Sequence, residues 1–329
     1  MNRKWISEVL RDETKSAFIL FSIAAITLAL ALSPYAQSLI NFANTEFAIG
    51  QFETNLRSFS SQYLLAIFFL IAGIELRHEI SQGSLNTFRS GVVPVFAAIG
   101  GMATPALIYI SVSSLNDGWG IPIATDLPFA LGIIAIFGRR LSLEVRAFLL
   151  ALAIVDDALS VLIIAFGLGH TSIHPTLIAV LIGLVIPPRN QIADRVRHFL
   201  QPISSGIALP LFAITALAIP IKLADFLNEQ SFAISIARLA GKPIGITFGA
   251  MLAIYLFRAR PSISVREILA VGATASIGFS VSLLFVNLSS FSQALIVDAT
   301  AGVVVAIPLC AVLGGIVSFV TKDPSRNKI

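Results

Sequence analysis

Apolar residues along this chain gather into ten runs: 16–33, 58–76, 91–113, 119–138, 147–168, 173–187, 203–221, 231–257, 267–289 and 293–320. A helix needs about 20 mostly apolar residues to cross a bilayer. The pattern therefore predicts ten transmembrane helices, the sixth being the shortest. One polar segment has a pattern of its own. TEFAIGQFETNLR, residues 45–57, alternates loosely about Gly50 and Gln51 and predicts a short hairpin at the outer surface. No low-complexity linker interrupts the runs, so residues 1–329 are expected to form a single membrane domain.

Charge sets the orientation. With both termini cytoplasmic, the inner segments hold Arg3, Lys4, Arg11, Lys15, Arg77, Arg89, Arg139, Arg140, Arg146, Arg189, Arg195, Arg197, Arg258, Arg260, Arg266, Lys322, Arg326 and Lys328. Only Arg57 and Lys222 fall outside, and Arg238 and Lys242 lie within a span. This is the positive-inside pattern, and an odd number of spans would scramble it. Composition agrees: 12% of residues are charged and 56% are hydrophobic, against about 25% charged in soluble domains. The partner is the lipid bilayer. The net charge of +4 lies along the inner rim, so no nucleic acid is implied. The basic N-terminus shows no small-residue cleavage site and reads as the lead-in to an uncleaved first span. The single cysteine, Cys310, sits in an apolar run and offers neither a disulfide framework nor a metal site.

Four charges interrupt this picture. Asp126, Asp156, Asp157 and Lys242 fall well inside spans, where a charge costs about 3 kcal/mol or more and marks a cavity or an ion path. One lysine cannot neutralise three carboxylates, so the surplus needs protons or cations. Asp156 and Asp157 are neighbours on one helix and point about 100° apart. One is expected to look into a cavity. The other is expected to reach a neighbouring helix, with Lys242 as its partner. Asp126 lies in GIPIATDLPFALG, two residues before Pro128. A proline withholds an N–H from the helix and biases the residue before it away from helical geometry, so the fourth span is expected to break here. Freed carbonyls, the Thr125 hydroxyl and the Asp126 carboxylate are all hard oxygen ligands.

The ninth span, ILAVGATASIGFSVSLLF, is loosened by Gly272, Thr274, Ser276, Gly278, Ser280 and Ser282. Spans one to five (16–168) and six to ten (173–320) form two halves. An odd number per half inverts the second, so the interrupted fourth span matches the interrupted ninth. Paired interrupted helices of this kind point to a midplane site. Two further readings concern single pairs. Arg238 and Asp298 lie at similar depth and are placed either to form an ion pair or for Arg238 to snorkel to the outer interface. His170 and His174 stand four apart but lack a third ligand for a metal.

The stretches GIELRHEISQGSL, AAIGGMATPALIY, GIPIATDLPFALG, FLLALAIVDDALSVLIIA, LPLFAI, GKPIGI and GATASIGFSVSLLF, in this order, resemble the NhaA family of sodium/proton antiporters. The resemblance implies an all-α integral membrane fold of about ten helices. These form two inverted five-helix repeats with broken, crossing helices. It implies that Asp157 is the principal ion-binding carboxylate, with Asp156 as its partner and Lys242 as the coupling lysine that pairs with Asp156. Thr125 and Asp126 join the ion site at the crossing. Glu75, Glu79 and His198 match positions linked to pH response. The implied activity is electrogenic export of Na⁺, and of Li⁺, against external protons across the bacterial inner membrane. No cofactor is implied, and the hairpin near 45–57 is implied as a homodimer contact.

This chain also departs from the family. FGLGHTSIHPTL joins the fifth and sixth spans directly, where typical members carry about two more helices. Arg197 and Gln201 stand where the family often has a glutamate and a second histidine. Pro128 replaces a commoner small residue. The missing helices motivate one alternative, a transport-deficient structural or regulatory relative. A Na⁺-coupled organic solute symporter of the same fold is another, opposed by the lysine of GKPIGI. An intramembrane aspartyl protease is disfavoured because the chain has no GxGD signature.

Overall fold

The computed structural model describes residues 10, 12–49, 52–83, 85–137, 142–167, 175–187, 191–259, 261, 263–289 and 291–321. His170 and His174 lie outside these residues, as does most of the segment joining the fifth and sixth spans.

A helix occupies each of the ten expected positions. The first is α1 (Glu13–Ala31), whose N-cap Asp12 accepts from the Lys15 amide. A bend of 119° leads into α2 (Ala36–Ala43), a short helix the hydropathy pattern did not mark. Strands β1 (Glu46–Ile49) and β2 (Phe52–Asn55) then pair antiparallel, from Glu46↔Asn55 to Ile49↔Phe52. The expected hairpin is present. The second span is α3 (Leu56–Ser81), widened by a π-turn at Ser60–Leu64. The third is α4 (Phe88–Val112).

The fourth span is broken. A 3₁₀ turn (Asn116–Gly120) gives way to non-helical backbone over 121–126, and α5 (Leu127–Phe137) follows. Pro128 is thus the second residue of the restarted helix, where a missing N–H costs nothing. The interruption falls before the proline, which begins the new helix more than it breaks the old one. The fifth span is α6 (Leu143–Gly167) and the sixth is α7 (Pro175–Val185), only 11 residues long.

The seventh span differs from expectation. Helix α8 runs from residue 191 to residue 217, passing Pro202 and widening into a π-turn at Ser204–Ala208. Its first three turns mix charged and apolar residues, so hydropathy located only the second half. The eighth is α9 (Glu229–Phe257), with a π-turn at Ala237–Gly241. The ninth splits into α10 (Val265–Thr274) and α11 (Ser280–Leu288), and α12 (Gln293–Val320) is the tenth. Among the described residues, five helices are each long and apolar enough to cross a membrane on their own: α3, α4, the 192–217 part of α8, α9 and α12.

Glycines fix the closest pairing. On α9, Gly241, Gly245 and Gly249 recur every four residues and face α4. A Cβ at Gly241 would lie 2.7 Å from the Cα of Pro105. At Gly245 it would lie 2.7 Å from Thr104 Oγ1, and at Gly249 2.9 Å from the carbonyl carbon of Phe96. Backbone meets backbone along this seam, which is how helices gain contact where lipid is as apolar as side chains. A shorter version joins α3 to α7. A Cβ at Gly183 would come within 2.8 Å of the Ile74 nitrogen. Apolar clusters flank the broken spans. One contains Phe69, Tyr109, Phe212, Phe279 and Phe285, the other Val145, Leu149, Ile246 and Ile268.

Candidate functional site

The two interruptions meet. Non-helical backbone at this depth is tolerated only where its polar groups find partners inside the protein, and here each chain supplies them to the other. The Asp126 amide donates to the Ile277 carbonyl at 2.9 Å. The Thr125 hydroxyl donates to the Ala275 carbonyl at 2.9 Å. Asp126 Oδ2 accepts from the Ser280 amide at 2.7 Å and from the Phe279 amide. The carboxylate therefore caps the N-terminus of α11, where an anion also complements the helix dipole. The carbonyl of the same residue accepts from the Ala130 amide and opens α5. One residue thus starts both restarted helices. Gly278 is the tightest point. A Cβ there would sit 3.1 Å from the Ala124 carbonyl carbon and from Arg238 Nη2.

Two cations enter this crossing, both from α9. Lys242 Nζ donates to Asp156 Oδ2 at 2.9 Å and to Thr125 Oγ1 at 2.7 Å, and both members of the ion pair are fully buried. Arg238, four residues earlier, donates to the carbonyls of Ile121 (3.0 Å) and Gly278 and to Ser282 Oγ. Of the three aspartates, Asp156 pairs with Lys242 and Asp126 is held by two backbone amides, which leaves Asp157 with neither a paired cation nor such amides among the described residues. Asp156 turns to Lys242. Asp157 turns the other way and lines a cavity of about 60 Å³, with room for about two waters. Ser16 and Leu20 of α1, Glu75 of α3 and Gln201, Ser204 and Ser205 of α8 share that lining. The π-turn of α8 begins at these serines, and such turns recur at functional sites. Among the described residues no lysine or arginine lies within 4.0 Å of Asp157.

The structure thus brings Thr125, Asp156 and Lys242 into one hydrogen-bonded cluster, holds Asp126 beside it on the amides of the ninth span, and places Asp157 and Glu75 on one cavity. Glu79 lies one turn beyond Glu75 on α3, and His198 is exposed on α8. The oxygens of Thr125 and Asp126 already have protein partners, whereas Asp156 Oδ1 has none. Among the described residues no group of three His, Cys, Asp or Glu is arranged to hold a resident metal. The ion pair expected between Arg238 and Asp298 is not formed. Asp298 Oδ1 accepts from Asn228 Nδ2 at 2.7 Å, while Arg238 is held by carbonyls. The carbonyl ends of the broken spans hold the guanidinium instead.

Sequence reasoning therefore missed Arg238 as a member of the crossing. The signal was present, because a residue four before Lys242 shares its helix face. It missed Gln201 as well. That residue lines the Asp157 cavity, and its Oε1 is buried without a partner.

Known proteins place this arrangement. The family model described as Na⁺/H⁺ antiporter 1 matches residues 7–171 and 166–318. Its two pieces meet where the fifth span joins the sixth, and the chain is shorter than typical members. The chain is 32% identical over 349 residues to the Na⁺/H⁺ antiporter NhaA of Nocardia farcinica, covering 87% of this chain and 84% of that one. It is 34% identical over 347 residues to Na⁺/H⁺ antiporter NhaA 2 of Clavibacter michiganensis, covering 86% and 84%. The corresponding Pasteurella multocida protein is 29% identical over 374 residues, covering 94% and 99%. With a matching family model over nearly its whole length and relatives 32–34% identical over most of it, this chain belongs to the NhaA family of Na⁺/H⁺ antiporters.

Proposed function

We propose that this protein exports Na⁺ in exchange for external protons, by competition of the two ions for Asp157. The observation that carries this reading is the unmatched carboxylate at the cavity. Asp157 is half-buried at a narrow cavity, and a partly desolvated carboxylate without a paired cation favours a bound proton or a bound metal cation. Na⁺ favours the hard oxygen donors gathered there, as the alkaline-earth ions do. In the proton-loaded state Asp157 holds one proton and Lys242 holds another against Asp156. As Na⁺ enters, Asp157 releases its proton. Asp156 swings from Lys242 to the ion through its unpartnered Oδ1, and Lys242 then gives up a proton as well. Two protons thus leave per Na⁺ bound, which makes the cycle electrogenic. Thr125 keeps Lys242 in place, and Asp126 holds the crossing. Glu75, Glu79 and His198 lie on the cytoplasmic side, where they adjust the field at the cavity mouth.

Both termini are cytoplasmic in this reading and the membrane is the bacterial inner membrane, as the distribution of basic residues supports. The inverted repeat is supported by helix pairing. Exchanging the first five spans with the last five turns the α3–α7 contact into the α8–α1 contact and leaves α4–α9 unchanged. The wild-type protein in proteoliposomes is expected to release luminal protons on addition of external Na⁺ or Li⁺ but not K⁺. The rate should respond to an imposed potential. A well-folded protein that gives no Na⁺-dependent proton movement would overturn the antiporter reading in favour of a transport-deficient relative.

The partner proposed for β1–β2 is a second copy of this chain. A two-stranded ribbon of four-residue strands is marginal on its own, and its open edges are a template for edge-to-edge pairing about a two-fold axis. Phe47, packed edge-on against Phe59 with ring centroids 5.5 Å apart, anchors the ribbon to α3. The mass of the protein in mild detergent should be that of a dimer, and deletion of residues 46–55 should give the monomer. A monomeric wild type would remove the assignment.

A further inference from the structure

Arg238 heads the large side chains that are fully buried, and the exchange chemistry makes no use of it. A guanidinium carries five donors in a rigid fork and stays protonated. It cannot deliver a transported proton, as a lysine can. Here the fork spans both interruptions. It reaches the Ile121 carbonyl, where the 3₁₀ turn of the fourth span ends, and the Gly278 carbonyl within the break of the ninth. Ser282 closes the triangle, receiving a bond from Arg238 and donating to the Ile121 carbonyl at 2.9 Å. Among the described residues no carboxylate lies within ion-pair distance of Arg238. Its charge faces carbonyl dipoles and the field of Asp126, whose carboxylate caps α11 just beyond Gly278.

We infer that Arg238 is the fixed counter-charge of the crossing: a cation that is never exchanged, bridges the two broken spans at Ile121 and Gly278, and balances Asp126. Lys242, Asp156 and Asp157 are then left as the groups whose charge changes during the cycle. This rests on the antiporter reading for its link to transport, but the bridge stands on geometry alone. The π-turn Ala237–Gly241 of α9 contains Arg238 and ends just before Lys242. It divides the helix into a fixed part carrying Arg238 and a working part carrying Lys242. The charged and titratable groups around them come from several elements. Asp126 and Cys310 of α12 face Arg238, Asp156 and Asp157 of α6 face Lys242, and Glu75 of α3 acts on Asp157.

The experiment compares R238Q, R238K, D126N and the double variant R238Q/D126N with the wild type. It uses exchange at alkaline pH, where protons compete least, and thermal unfolding in detergent. Loss of the positive charge should make the interior more hospitable to a cation. In R238Q the apparent KM for Na⁺ is therefore expected to fall by about three- to tenfold, while turnover drops because the bridge is gone. R238K should restore the KM but not the full turnover, since an ammonium cannot fork between two carbonyls. D126N should raise the KM, and the double variant should return towards the wild-type value. An unchanged KM in R238Q, or R238K behaving as R238Q does, would overturn the fixed-charge assignment. Should the wild type itself give no exchange, the antiporter reading fails and unfolding still decides the role of Arg238. A balanced pair makes the Tm losses of R238Q and D126N much less than additive in the double variant. Strictly additive losses would mean that the two residues do not balance each other.

Discussion

Asp157→Asn is expected to abolish Na⁺-driven proton release from proteoliposomes while leaving the protein folded. Asparagine has nearly the shape of aspartate, but it neither takes up a proton nor carries the charge that attracts Na⁺. Losing one ionised ligand is worth at least about 3 kcal/mol, or roughly a hundredfold in affinity. The proton half of the exchange disappears altogether. The same substitution removes a carboxylate that has no cationic partner among the described residues. The Tm of the variant should therefore equal or exceed that of the wild type. The combination is diagnostic, because an unfolded variant loses both properties. Exchange at the wild-type rate in D157N would transfer the ion site to another residue.

Lys242→Met carries the second large effect, on stability first. It leaves Asp156 buried beside Thr125 with no cation, and breaking a buried pair by removing one partner costs about 3–5 kcal/mol. Tm in detergent should fall by on the order of 5–10 °C. Adding Asp156→Asn removes the stranded charge, and D156N/K242M should recover most of the loss. The double variant also tests the stoichiometry. Asp157 remains at its cavity, so exchange should persist with weaker Na⁺ affinity. The Lys242 proton is gone, so the cycle should carry one proton per Na⁺ and lose its response to membrane potential. Exchange that remains potential-driven in the double variant would mean that the second proton does not come from Lys242.

The sequence carried the larger features because each had a physical cause local to the chain. Runs of apolar residues located the spans. The adjacency of Asp156 and Asp157 forced them onto different faces, which is what the Lys242 pair and the cavity now display. The breaks in the fourth and ninth spans could be read from TDLP and GATASIG. What they do for one another could not. That Asp126 caps the helix after the other break, and that Arg238 closes on both, depends on residues about 150 and 40 positions apart meeting in space. Local pattern cannot supply such pairings. The early start of α8 was hidden for a different reason, since an amphipathic helix at a membrane surface has no hydropathy peak. Helix α2 was too short to register.

The glycine seam between α4 and α9 has a mechanical corollary. Where backbones touch at Gly241, Gly245 and Gly249, the two helices have no side-chain layer to slide on. They must travel as a single rod, and Lys242 travels with it. Asp156 belongs to α6, which is joined to that rod by ordinary side-chain packing and by the Lys242 contact. Any rocking motion that turns Asp157 from one face of the membrane to the other therefore pulls on a single electrostatic latch. In the proposed cycle this latch is fastened in the proton-loaded state and released when Na⁺ reaches Asp156, so the two loaded forms would reorient under different restraint.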